Sequence, residues 1–168
     1  MFSIGEKILY GSVGVCEIKE ICGKAFGGKL SDYYVLVPVY KEQSTVYVPV
    51  DSEPLCEKMR RLHTRDELDN LLNNLFDEEI LWDDNKYTRR ESFTAILEKG
   101  SLKSLFALRR VLDNHNNELM AKGKKLHIFD ERVLGDVEKL IGEEFSVVLD
   151  IPKEDVKEYI TGRIKETV

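Results

Sequence analysis

The spacing of apolar residues along this 168-residue chain changes near residue 50. Before that point, short runs such as Tyr33-Tyr34-Val35 alternate with polar or glycine-rich breaks, one of them at Gly23 with Gly27-Gly28. Such runs are typical of a meandering antiparallel sheet, and five of them in about fifty residues suit a small closed or half-closed barrel. After it, apolar residues recur at helical spacing. The sequence therefore predicts an α+β protein with a β-barrel domain at residues 1–54 and a helical domain at residues 55–168.

Several local signals place the predicted helices. Thr64 and Glu67 have the spacing of a capping box, and leucines at helical spacing follow them. Gly100 is predicted to end a second helix and Ser101 to begin a third. A fourth is expected after Asp130, and Pro152 suits the first turn of a last helix. The role of residues 150–168 stays open.

The charge is unevenly distributed along the chain. The net charge is −6, yet residues 85–127 contain ten basic and four acidic side chains, a net charge of +6. A basic segment in an acidic chain is a candidate anion-binding face, and nucleic acid is the commonest polyanion. The competing interpretation is a solvated helix face neutralised by its acidic flanks.

The sequence offers little for catalysis. His63, His115 and His127 are scattered, and neither a metal-binding spacing nor a phosphate-binding glycine loop is present. We therefore expect a protein that is not an enzyme and has no cofactor, metal or small-molecule substrate. Three cysteines without metal-ligand spacing indicate a reduced compartment. With no signal-peptide pattern and no apolar run long enough for a membrane helix, the predicted location is cytoplasmic, away from the membrane.

An aromatic and basic cluster joins two of the predicted helices. It comprises Trp82, Lys86, Tyr87, Arg89 and Arg90, and the basic loop residues Lys122, Lys124 and Lys125 add charge. Lysine and arginine neutralise phosphates, and an aromatic ring at a helix end can wedge between base steps. Trp82 follows Ile80-Leu81 and reads better as core, whereas Tyr87 is expected to be exposed.

A short strand at residues 45–49 is expected at an edge of the sheet. Pro49 at its end prevents further ladder pairing. Val46 and Val48 are expected to fill the barrel, so Tyr47 points outward, where a partner strand could cover it.

The N-terminal sequence resembles the RNA polymerase-interacting domain of the bacterial CarD/CdnL transcription regulators. The likeness lies in the run from Phe2 to Val15, in Tyr33-Tyr34-Val35-Leu36 and in Val46-Tyr47-Val48-Pro49-Val50. Transcription-repair coupling factor has a similar module, followed there by a helicase motor. The helical remainder also resembles CarD, more loosely.

The resemblance implies a Tudor-like barrel that binds a lobe of the polymerase β subunit, and a helical domain that reaches promoter DNA at the upstream edge of the bubble. In the family a tryptophan followed by paired arginines wedges into the minor groove, stabilising the open complex. That pattern aligns here with Tyr87-Thr88-Arg89-Arg90, so a tyrosine replaces the tryptophan. The implied polymerase-binding residues are Lys24, Val46, Tyr47, Val48 and Pro49, and the implied DNA-binding residues are the cluster and loop residues named above.

Two functions follow from these expectations. The first is a non-catalytic regulator that binds RNA polymerase and, weakly and without sequence specificity, promoter DNA. The alternative is a protein–protein adaptor that binds RNA polymerase or another partner with little or no DNA contact.

Overall fold

The computed structural model describes the backbone of residues 1–166 and their side chains, other than those of residues 76, 165 and 166. The chain divides into two compact units, Met1–Leu62 and His63–Val168. The first contains an antiparallel five-stranded sheet and the second contains helices, so the α+β class is confirmed.

The sheet has the strand order β4-β3-β2-β1-β5. The strands are β1 (Lys7–Tyr10), β2 (Gly14–Phe26), β3 (Lys29–Pro38), β4 (Val46–Pro49) and β5 (Met59–Arg61), and a short helix α1 (Glu53–Cys56) follows β4. Its core contains Ile8, Ile18, Leu36 and Val48, all fully buried. Each such aliphatic side chain contributes roughly 1.5–3 kcal/mol on burial.

Two features of the sheet differ from the sequence prediction. The strand β2 does not break at Gly23 but continues to Phe26, and the turn lies at Gly27 and Gly28, whose φ angles are 60° and 80°. Glycine adopts such angles without steric cost, so the turn forms there and β2 and β3 extend as a two-stranded ribbon.

The fifth strand also lies beyond the predicted barrel. Residues 55–62, predicted as part of the helical domain, belong to the first unit. The reason is that Met59 and Arg61 pair with Tyr10 and Ile8 of β1, and Met59 is buried in the sheet core.

The second unit contains five helices among its described residues. They are α2 (Arg65–Asn73), α3 (Lys86–Lys99), α4 (Leu102–Ala121), α5 (Ile128–Leu149) and α6 (Lys153–Glu166), with a 3-10 turn at Leu75–Asp77. Thr64 and Glu67 form the predicted capping box, and Gly100, with a φ angle of 68°, ends α3. Phe93, Leu105, Leu112, Leu140 and Phe145 form the centre of its core.

The longer helices are amphipathic rather than uniformly apolar. Within residues 1–166, none is long and apolar enough to cross a membrane.

Candidate partner-binding and nucleic-acid surfaces

The strand β4 is an end strand of the sheet and pairs with β3. Its side chains alternate as predicted, since Val48 is fully buried and Tyr47 is 41% exposed. Val46 and Pro49 are half-buried. An end strand carries backbone donors and acceptors on its outer side, which an added strand can pair with. β4 therefore combines a backbone edge with an exposed tyrosine.

Tyr47 belongs to an aromatic patch, which we define as Phe26, Tyr33 and Tyr47. Its ring centroids are separated by 5.1 Å for Phe26 and Tyr33, 5.5 Å for Phe26 and Tyr47, and 6.5 Å for Tyr33 and Tyr47. All three pairs have the edge-to-face geometry that aromatic rings favour. Phe26 is 48% exposed, so the patch presents apolar surface to solvent.

Lys24 lies on the same face of the sheet as the aromatic patch. It is opposite Ser31, and Ser31 and Tyr33 are two residues apart on β3. Because side chains alternate between faces along a strand, Lys24, Tyr33 and Tyr47 share one face. The structure thus brings together two of the predicted partner-binding residues, with Phe26 and Tyr33 beside them.

Sequence reasoning missed Phe26 and Tyr33 as site residues. The alternation of side chains between the two faces of β2 and β3 is the signal that could have identified them. It was hidden by the expected break at Gly23, since the register across β2 and β3 places Phe26 on the face of Tyr33 only if the strand is continuous.

Trp82 in the helical unit is held by three neighbours. Its ring stacks on His115 at a centroid distance of 3.6 Å and an interplanar angle of 14°. The Arg89 guanidinium carbon lies 4.6 Å from the ring centroid, and Phe93 contacts it edge-on at 6.1 Å. Trp82 is therefore half-buried and packs against its neighbours, as the apolar run before it indicated. Its position does not fit a ring that wedges between DNA base steps.

Arg89 is buried, which does not fit the predicted contact with a DNA backbone. Its Nε and Nη2 atoms each donate to a carboxylate oxygen of Asp130 at 3.0 Å, and Nη1 donates to the carbonyl of Asp83 at 2.9 Å. Only 7% of Arg89 is exposed. Its bidentate pair instead fixes the start of α3 against the start of α5.

Asn85 sets the start of α3 and so presents Tyr87. Its side-chain oxygen accepts hydrogen bonds from the backbone N–H groups of Tyr87 and Thr88, at 3.0 and 3.3 Å. Tyr87 in the first turn is 68% exposed, and the Lys86 ammonium lies 5.3 Å from its ring centroid. An exposed aromatic ring beside a cation thus projects from a capped helix start.

Asp83, which precedes α3, is hydrogen-bonded to the first turn of this helix and to its N-cap residue. A hydrogen bond from the Thr88 hydroxyl, another from the backbone N–H of Asn85 and the charge of nearby Arg89 hold the pKa of Asp83 below its ordinary value. These bonds favour the charged carboxylate. Asp83 consequently adds a negative charge beside the basic residues of α3.

The remaining predicted DNA-binding residues converge at one end of the helical unit. The Arg90 guanidinium lies 4.9 Å from the ring centroid of Phe129, near the start of α5. The exposed loop joining α4 to α5 leads into the same helix start. We call this region the basic end; its residues are Lys86, Tyr87, Arg90, Lys122, Lys124 and Lys125.

The three histidines have separate environments. His63 contacts Glu144, His115 stacks on Trp82, and His127 is exposed before α5. Among the described residues, no group of three or more His, Cys, Asp or Glu side chains is arranged to hold a metal ion.

Comparison with known proteins identifies the first unit. Residues 2–63 match the family model of the CarD-like/TRCF RID domain. No curated protein matches the chain. The matched segment contains all five strands and the aromatic patch. The first unit is therefore similar to the CarD-like/TRCF RID domain, an RNA polymerase-interacting domain.

Proposed function

We propose that this protein is a non-catalytic transcription regulator that binds the β subunit of RNA polymerase through its N-terminal sheet and contacts promoter DNA through the basic end, thereby altering open-complex stability. The aromatic patch beside the end strand β4, inside a CarD-like/TRCF RID domain, carries this proposal. The sheet would act as a Tudor- or SH3-like barrel, and the site of action is the bacterial cytoplasm.

Polymerase binding would combine two kinds of contact. A strand of the polymerase lobe pairs with the outer edge of β4, which gives main-chain hydrogen bonds. Tyr47 and Phe26 supply the side-chain contacts, because large aromatic residues dominate the energetics of interfaces. Lys24, exposed on the same face, favours an acidic neighbour on the polymerase.

A pull-down with the isolated lobe of the polymerase β subunit tests this contact. Tyr47→Glu introduces a charge into the patch and should abolish binding. Tyr40→Glu is the matched control, because Tyr40 is 37% exposed in the same unit but lies outside the patch. Equal retention of binding by both variants would exclude the aromatic patch, and no binding by the unmodified protein would exclude the polymerase lobe.

DNA binding would rest on the basic end. Tyr87 provides the ring that wedges at the edge of the bubble, and Arg90 with the lysines neutralises phosphates. Few cations are available and the chain is acidic, so affinity should be weak, salt-sensitive and independent of base sequence.

A titration of a forked promoter duplex, followed by the fluorescence anisotropy of a labelled strand, tests the DNA contact. Tyr87→Ala should weaken binding to the fork more than to intact duplex. Lys86→Gln should lower the salt dependence by about one phosphate contact. Lys99→Gln, the same charge change at the other end of α3, should leave both unchanged.

The adaptor remains the second candidate, and two observations favour it. Arg89 is paired with Asp130, and the charged Asp83 lies just before α3, where it accepts a hydrogen bond from the backbone N–H of Asn85. Both reduce the positive potential that a phosphate would meet. If the protein binds the polymerase lobe and Tyr87→Ala leaves its affinity for forked DNA unchanged, the adaptor function is favoured.

A further inference from the structure

A cavity of about 140 Å³ lies within the helical unit, among α4, α5 and α6. Arg109 of α4 and Lys153 and Lys157 of α6 contribute cationic groups to its lining, and Glu138 of α5 contributes a carboxylate. The apolar side chains of Ile141 and Val156 complete much of the remaining wall. The lining of this cavity thus contains three cationic side chains and one carboxylate.

Arg109, whose side chain is 24% exposed, differs from the buried Arg89 in how it is paired. The Arg89 guanidinium makes two 3.0 Å hydrogen bonds to one carboxylate. The Arg109 Nε atom, by contrast, is buried without a hydrogen-bond partner among the described residues. Its nearest carboxylate oxygens, on Asp113 and Glu138, are 3.6 and 4.0 Å away. Arg109 is therefore attracted to these acids without being locked to either, and it can reorient toward a ligand oxygen.

The start of α6 adds to the preference for an anion. Lys153 is the first residue of this helix, where the helix dipole opposes a positive side chain and favours a negative ligand. Lys157 follows one turn later on the same face of α6. Across the cavity, a Cβ atom added to Gly142 would meet no atom within 4 Å, so space is open beside the α5 backbone.

We infer that this cavity, which we call the α4–α6 cavity, binds a phosphate group through Arg109, Lys153 and Lys157. Arginine offers forked donors that match a phosphate, and lysine neutralises its charge. The volume is sufficient for a phosphate-sized anion. The phosphate could belong to a small free molecule or to a nucleic-acid backbone, since both present the same oxygens.

Thermal unfolding with pyrophosphate, followed by the fluorescence of the single tryptophan, tests this site. The ionic strength is held constant by exchanging pyrophosphate for sodium chloride. We expect the unfolding midpoint to rise with the logarithm of the pyrophosphate concentration above Kd, by about 5 °C at a tenfold excess over Kd. Arg109→Gln and Lys157→Gln should each abolish the rise, and Lys103→Gln on α4 should retain it.

A direct measurement guards against variants that merely lose stability. The ³¹P resonance of pyrophosphate should broaden on adding the unmodified protein and stay sharp with the folded Lys157→Gln variant. A midpoint that does not rise with pyrophosphate, or a rise that persists in both cavity variants, would overturn the inference. Displacement of pyrophosphate by duplex DNA would identify the nucleic-acid backbone as the source, and its retention would identify a free phosphate.

This site stands apart from the proposed regulator function. Lys86→Gln and Tyr47→Glu should leave the pyrophosphate response unchanged, because neither residue lines the cavity.

Discussion

The guanidinium of Arg89 and the carboxylate of Asp130 form a bidentate pair, with two hydrogen bonds of 3.0 Å between the first turns of α3 and α5. The side chains are only 9% and 2% exposed. Since Tyr87 belongs to the same turn as Arg89, this pair determines where the exposed ring lies relative to the start of α5.

Removing one partner of the pair should strongly destabilise the helical unit. Arg89→Met leaves the charge of Asp130 buried without its partner, and we expect a loss of about 3 kcal/mol in the free energy of unfolding. Asp130→Leu should cost a similar amount. Urea unfolding followed by tryptophan fluorescence measures both, because Trp82 lies in this unit.

The double variant separates charge pairing from lost packing. Arg89→Met combined with Asp130→Leu removes both buried charges, so its cost should be clearly smaller than the sum of the single costs. Strict additivity would show that the two side chains contribute independently.

The lowered pKa of Asp83 makes the start of α3 sensitive to acid. Because the carboxyl binds its proton more weakly in the folded state, the unfolded state binds more protons around the ordinary pKa of aspartate. The stabilisation is therefore present above that pH and is lost as the pH falls toward the folded-state pKa.

Thr88→Ala tests the cause, since the Thr88 hydroxyl makes the largest contribution to this shift. We expect the pKa of Asp83, measured by carboxyl ¹³C NMR, to rise toward its ordinary value. Thr94→Ala, an exposed change later in α3, should leave it unchanged. An unaltered pKa in Thr88→Ala would contradict this account.

Local signals in the sequence predicted much of this structure. The capping box needs only residues three positions apart, so Thr64 and Glu67 are readable without tertiary information. The exposure of Tyr47 follows in the same way from strand alternation beside buried Val48.

Features that depend on residues distant in the sequence could not be predicted from local sequence patterns. Met59 forms β5 because β1, some fifty residues earlier, offers an edge to pair with. In the sequence, Arg89 resembles a phosphate ligand beside Arg90, and only the folded structure shows that it is buried and paired with Asp130. One helical turn therefore contains both a structural and an exposed arginine.

Thr64→Ala should lower the stability of the helical unit by about 1 kcal/mol. The Thr64 hydroxyl accepts from the Glu67 backbone N–H at 3.2 Å, and the Glu67 carboxylate accepts from the Thr64 N–H at 2.8 Å. Thr94→Ala should have the opposite sign, because alanine is favoured inside an exposed helix. Urea midpoints that shift in the same direction for both variants would contradict a capping role.

Glu144 of α5 holds His63, the first residue of the helical unit, through its carboxylate. One of its oxygens accepts from the backbone N–H of His63 at 2.9 Å and lies 2.8 Å from the imidazole Nδ1, and the carboxylate is fully buried. Glu144→Leu should cost about 2 kcal/mol because it removes the acceptor of a backbone donor. Glu144→Gln keeps an acceptor and should cost less.

Denaturant unfolding of these variants should be compared with Glu138→Gln. Glu138 lies on the same helix but is 53% exposed, so its substitution should change stability by no more than about 0.5 kcal/mol. A Glu144→Gln cost as large as that of Glu144→Leu would show that the charge, rather than the acceptor, is what His63 requires.

Phe26 and Leu30 allow a test of which face of the β2–β3 ribbon meets the polymerase lobe. Phe26 contacts Tyr33 and Tyr47, whereas Leu30 lies opposite Ala25, on the other face, and is 74% exposed. Phe26→Ala should weaken lobe binding at least tenfold, as expected for a central aromatic contact. Leu30→Ala removes a comparable exposed apolar group and should leave Kd unchanged. Isothermal titration with the isolated lobe measures both, and the reverse ranking would place the partner on the Leu30 face.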